Sequence, residues 1–167
     1  MCSSDLTLAS IDELLPILPP DVVDVLWQSR FRTAVDESYL HGRPNVLGAP
    51  APVLSGCSDR PTLVFDADLM VGTDDTAERA LRVLSAAIEE HHTGVALQAG
   101  DLLVVDNDRA VHGRSPYRPR WDGFDRWIQR AMAVSDLAPS AAERAGRVRS
   151  EEHTSGLQSL AYLVCRL

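Results

Sequence analysis

"GDLLVVDNDRAVHGRSPYRPRWDGFDRWIQR" occupies residues 100–130, and its reading decides the fold. Leu102 to Val105 is a short apolar run that enters a polar turn, and His112 follows. A second run, "DRWIQRAMAV" from Asp125 to Val134, alternates well enough to be a strand. On such a strand Arg126, Ile128, Arg130 and Met132 share one face, and Trp127, Gln129 and Ala131 share the other. Neither face is wholly apolar, so a buried arginine there needs an anion. A guanidinium fork suits a carboxylate, and a charge-assisted bond of this kind contributes ~1.5–3 kcal/mol. The bland alternative is a solvated edge on which the arginines pair with Asp122 and Asp125. A lone histidine after a strand is in general structural or exposed.

Working outward, the clearest element is "GTDDTAERALRVLSAAIEEHH", residues 72–92. Ala77, Ala80, Leu81, Leu84 and Ile88 make one apolar stripe at helical spacing. Thr73 or Asp75 can cap this helix, and acids crowd its first turn. "GVALQ" (94–98) and "LLVVD" (102–106) read as strands around a turn at Ala99 to Asp101. Upstream, Ser10 can cap a short helix that Pro16 breaks, and Pro20 suits the first turn of a second helix ending near Gln28. Phe31 to Tyr39 reads as extended, residues 41–61 as irregular, and "TLVFDAD" (62–68) as a strand. Residues 138–148 read as a weak terminal helix. The whole is mainly β with one packed helix, and the turn residues favour a sandwich or jelly roll over a doubly wound sheet.

The 167 residues give room for one domain with a core, at 45% hydrophobic and 24% charged. No apolar run approaches a membrane span, and no secretory leader is expected. The net charge of −8 argues against a general nucleic-acid binder, and no nucleic-acid motif accompanies the arginine-rich segment 109–130. All sixteen basic residues are arginine, a codon bias more than a chemical one. Cys2, Cys57 and Cys165 have neither disulfide nor zinc spacing, so a reducing cytoplasm is the expected compartment.

The two ends look foreign. One duplex, AGATCGGAAGAGCACAC, encodes Arg149 to Thr154, and its complement encodes Met1 (as GTG) to Leu6. That DNA resembles a sequencing-library adapter. Residues 1–6 and 149–167 are therefore expected to be adapter-derived, with the natural portion at 7–148.

The stretch "DNDRAVHGRSPYRPRWDG" with "DRWIQR" resembles the C-terminal motif region of the clavaminate synthase-like iron(II)/2-oxoglutarate oxygenases, within the TauD-like superfamily. More narrowly it is similar to the branch that hydroxylates free amino acids, such as arginine and asparagine hydroxylases. A weaker likeness runs through "QSRFRTAVDESY" and "FDADLMVGTDDTAERAL". The resemblance implies the C-terminal part of a double-stranded β-helix (jelly roll). It implies Fe(II) as cofactor, 2-oxoglutarate and O2 as co-substrates, and an amino-acid-like substrate. His112 matches the distal histidine of a two-histidine, one-carboxylate facial triad. Arg126, fourteen residues on, matches the arginine that grips the distal carboxylate of 2-oxoglutarate. Arg130 matches a position near the substrate's own carboxylate. Asp66 and Asp68 lie where the family places substrate-facing polar groups, which suits a cationic substrate; a strand-end turn is the plainer reading of both. The implied reaction decarboxylates 2-oxoglutarate to succinate and carbon dioxide and hydroxylates an unactivated carbon.

The sequence departs from that pattern in one respect. The family needs His-x-Asp or His-x-Glu well before the distal histidine. His41, His91, His92 and His112 are followed two residues on by Arg43, Thr93, Gly94 and Arg114. As written, the polypeptide is expected to assemble no iron site, to turn over no 2-oxoglutarate and, with open sheet edges, to be poorly soluble or molten. A second reading stays open: a noncatalytic module that has lost the iron site and binds anions through Arg114 to Arg130. His41 is expected to face solvent, and Trp121 and Trp127 to be packing residues.

Overall fold

The computed structural model describes residues 6–40, 44–116, 118–119, 121–123, 127–133 and 160–166. The chain divides into two compact units, Ala9–His92 and Met1–Leu8 with Thr93–Leu167.

In the unit Ala9–His92 the organising element is the long helix α4 (Asp75–His91), which follows the short helices α1 (Ile11–Leu14), α2 (Pro20–Leu26) and α3 (Glu37–Leu40). The cap of α4 is Asp74, not the expected Thr73 or Asp75. Its extended backbone lets Oδ1 accept the N–H groups of Thr76 and Ala77, each at 3.0 Å. Ala77, Ala80, Leu81 and Leu84 of the predicted stripe are buried. They form a core with Val22 and Leu26 of α2 and Ile11 and Leu14 of α1. Ser10 caps α1 as read, accepting from Asp12 N at 3.3 Å, and Pro20 opens α2.

The strands of this unit are shorter than the sequence suggested. β2 (Phe31–Thr33) pairs antiparallel with β5 (Met70–Gly72), so only the start of Phe31 to Tyr39 is strand and α3 follows. β3 (Leu54–Cys57) and β4 (Arg60–Leu63) form a hairpin that begins in the stretch that reads as irregular and ends two residues into the predicted strand 62–68, whose remainder is not strand. Gly56, within β3 and opposite Pro61, takes a left-handed backbone at φ 83°. Arg30 ties β2 to the helix cap: its Nη2 lies 2.6 Å from Asp74 Oδ2, and its carbonyl accepts from Thr73 N at 2.9 Å.

The other unit is strand-built. β1 (Leu6–Ser10) contributes Leu6 to Leu8, paired antiparallel with β6 (Thr93–Val95), and the sheet order is β6-β1-β8, with β8 at Ala110–Arg114. A second sheet has the order β7-β10-β9, from Leu102–Val105, Leu160–Arg166 and Trp127–Ala133. Thus the expected last strand is present over Trp127–Ala133, and the residues predicted as a terminal helix (138–148) lie outside those described. The tail that reads as adapter-derived supplies β10; pairing shows what that peptide does, not where its codons came from. Every buried apolar side chain among the described residues lies in Ala9–His92, apart from Leu6 and Val105. No helix among the described residues is long and apolar enough to cross a membrane.

Candidate functional site

The turn that delivers His112 is built by Asp106. Its carbonyl accepts from the N–H groups of Arg109 and Ala110 at 3.0 Å each, and its Oδ1 accepts from Asp108 N at 3.1 Å. This reverses the chain from β7 into β8, where His112 is the central residue. The imidazole is half-buried. Burial is the larger cause that holds its pKa below the ordinary imidazole value, and the positive charge of Arg130 adds to it. Both effects favour the neutral ring, the form that binds metal.

Arg130 lies at the middle of β9, on the face shared with Ile128 by strand alternation, and is exposed. The structure brings His112 and Arg130 within electrostatic reach of one another. Arg126 lies outside the described residues, as do His41 and Asp125. Asp66 and Asp68 belong to the other unit. Asp66 is a turn residue there: its Oδ1 accepts from Asp68 N and Leu69 N, both at 3.0 Å, and its carbonyl accepts from Met70 N at 3.1 Å. Asp68 is exposed. Trp121 is 86% exposed with φ 59°, so it does not pack as the sequence suggested.

Sequence reasoning missed Asp108. Its Oδ1 is buried and has no hydrogen-bond partner among the described residues. Burial raises its pKa, and the neighbouring charge of Asp106 raises it further. The signal was present as "DND", two carboxylates two residues apart in a tight turn.

The donor set among the described residues does not fit a resident iron. Among the described residues no three His, Cys, Asp or Glu side chains come close enough to hold a metal ion. His112 offers one imidazole, whereas a facial triad needs two histidines and a carboxylate.

Comparison with known proteins defines the class. Residues 27–132 match the taurine catabolism dioxygenase TauD, TfdA family, and the chain belongs to it. It is 39% identical over 149 residues to the L-lysine 3-hydroxylase of Catenulispora acidiphila, an alignment covering 86% of this chain and 42% of that protein. It is 40% identical over 136 residues to the L-asparagine oxygenase of Streptomyces coelicolor, covering 81% and 40%. Among solved structures it resembles asparagine oxygenase in complex with Fe(II), 2S,3S-3-hydroxyasparagine and succinate. There the TM-score is 0.69 at 38% identity, over 75% of this chain and 39% of that one. The mainly β architecture with one packed helix is thus part of the jelly roll of these oxygenases. The chain spans about two fifths of the length of the curated relatives it matches.

Proposed function

We propose that the chain is a portion of an Fe(II)/2-oxoglutarate-dependent oxygenase that hydroxylates an unactivated carbon of a free amino acid or similar small molecule. The observation that carries this reading is His112, half-buried at the centre of β8 and inside the family-matching residues. His112 supplies one metal ligand. Arg126 takes the distal carboxylate of 2-oxoglutarate, and Arg130 takes the carboxylate of the amino acid. Asp66 has an oxygen committed to its turn, so Asp68 is the freer candidate to meet a cationic substrate group. The likeness to a lysine hydroxylase supports a cationic amino acid. The exposed free thiol of Cys57 supports a reducing, cytoplasmic setting. With one ligand in place, the polypeptide itself decarboxylates no 2-oxoglutarate, and no step is assigned to it.

The alternative is a noncatalytic anion-binding module, since among the described residues no donor cluster could hold a metal ion. Sequencing the source locus upstream of the Thr7 codon separates the two. An open frame encoding His-x-Asp or His-x-Glu supports the oxygenase. A stop codon immediately upstream overturns it and leaves the anion-binding module.

A further inference from the structure

The connection from β8 to β9 carries a residue pair that the oxygenase reading does not use. Asp122-Gly123 is the single Asp-Gly pair of the chain, and no Asn-Gly pair occurs. In that order the N–H that follows the Asp122 carboxyl belongs to glycine, so no side chain on the next residue crowds it. The amide nitrogen closes a five-membered ring on Asp122 Cγ where the backbone is free to bend and the ring has room.

Both conditions are met. Asp122 and Gly123 are exposed and lie outside every helix and strand. Gly123 takes the left-handed backbone at φ 83°, and a Cβ built on it meets no atom of the described residues within 4 Å. The preceding Trp121 is 86% exposed and also has a positive φ, 59°, uncommon for a bulky side chain. An exposed turn outside regular structure opens at little cost. A second turn of the same unit is the contrast. Asp101 follows Gly100 instead of preceding it, so the amide beside its carboxyl is that of Leu102. The Asp101 Oδ2 accepts from Gln98 N at 2.8 Å, and its own N–H donates to Gln98 O at 3.0 Å.

We infer that Asp122-Gly123 is a spontaneous modification site, at which Asp122 converts through a cyclic imide to isoaspartate. The Gly123 nitrogen bonds to Asp122 Cγ, and the carboxyl hydroxyl leaves with the amide proton as water. Water then adds to one imide carbonyl. Opening at Cγ returns aspartate, and opening at the backbone carbonyl gives isoaspartate. One water leaves and one enters, so no oxidant or co-reactant is needed. The product keeps its mass but routes the backbone through Cβ and Cγ. The path between the strands of His112 and Arg130 becomes one carbon longer. The inference is independent of the metal chemistry.

The unmodified chain is aged at mildly acidic pH in water enriched in heavy oxygen, beside the free, end-blocked peptide of residues 121–126. Trypsin releases the same segment from the chain, since Arg120 and Arg126 flank its two cuts. Chromatography with electron-transfer fragmentation separates isoaspartate from aspartate. Asp122 in the chain should isomerise within about threefold of the rate in the free peptide, as a turn that opens easily requires. The isoaspartate should carry a heavy oxygen atom, Asp101 should stay aspartate, and Asp122→Glu should leave the segment unchanged. A slower rate at Asp122 overturns the inference. Isoaspartate formed equally at Asp101, or formed without the heavy atom, overturns it as well.

Discussion

Gly72→Ala is the sharpest test of how the family-matching helix is seated. A Cβ at this position would lie 2.5 Å from Glu78 N, 2.8 Å from the carbonyl carbon of Ala77 and 2.9 Å from Ala77 Cβ. Two of those atoms are backbone, so no rotamer change relieves the clash. The first turn of α4 must move until the shortest contact reaches at least the 3.4 Å of ordinary packing. That movement pulls against the 2.7 Å hydrogen bond from Gly72 N to Glu78 Oε1 and against Ala77, which is fully buried. Overpacking costs about 1–3 kcal/mol, and a bond to a charged acceptor about 1.5–3 kcal/mol. The stiffer unfolded chain returns about 0.4–1 kcal/mol. A net loss of about 2–4 kcal/mol follows, against a total of about 5–15 kcal/mol for an ordinary domain. Urea unfolding followed by far-UV circular dichroism should show a midpoint lower by roughly 1–2 M at an ordinary m-value. Gly48→Ala is the control: its new Cβ would sit 3.5 Å from Thr33 O, an ordinary contact, and should shift stability by no more than about 0.5 kcal/mol. Equal midpoints for the two variants would refute the close approach of β5 to α4.

Two further outcomes concern charge. In an NMR titration His112 should protonate below the ordinary imidazole range, and Arg130→Gln should move its midpoint up only part of the way, because burial is the larger cause; a midpoint unmoved by the variant removes Arg130 from the site. Asp74 has its pKa lowered by the Ala77 N–H first and then by Arg30. Its stabilising effect is therefore present above the unfolded carboxylate pKa and lost as pH falls through the lower folded value. Asp74→Ala should lower Tm at neutral pH and flatten the acid limb of the Tm–pH curve, and an unchanged acid limb would count against the cap.

The features that could be seen in the sequence are those with a long period or a long motif. α4 announces itself because five apolar residues recur at helical spacing over Ala77 to Ile88. Its cap is off by one because Thr73, Asp74 and Asp75 are all competent, and only the extended backbone at Asp74 selects among them. β2 and β5 have three residues each, too few to show alternation. The β3–β4 hairpin hides in a Gly- and Pro-rich stretch, where Pro61 is fully buried within a strand. The nearness of His112 and Arg130 was not legible, because the family motif sets His112 beside Arg126 and seventeen intervening residues carry no distance information of their own. Asp108 escaped notice because burial of a single oxygen depends on how the turn folds.

The shortage of iron ligands can be located more narrowly than by counting histidines. The sheet order β6-β1-β8 makes β1 the strand beside His112. That approach is close: a Cβ on Gly113 would lie 2.7 Å from Thr7 Oγ1, so glycine at the residue after His112 lets the two strands meet. β1 reads Leu6-Thr7-Leu8-Ala9-Ser10. It offers hydroxyl groups but neither imidazole nor carboxylate, the side chains an iron(II) triad uses. β1 therefore adds no iron donor beside His112. A half-buried His112 whose pKa is held down meets the first requirement of a metal ligand, and β1 beside it supplies no second one.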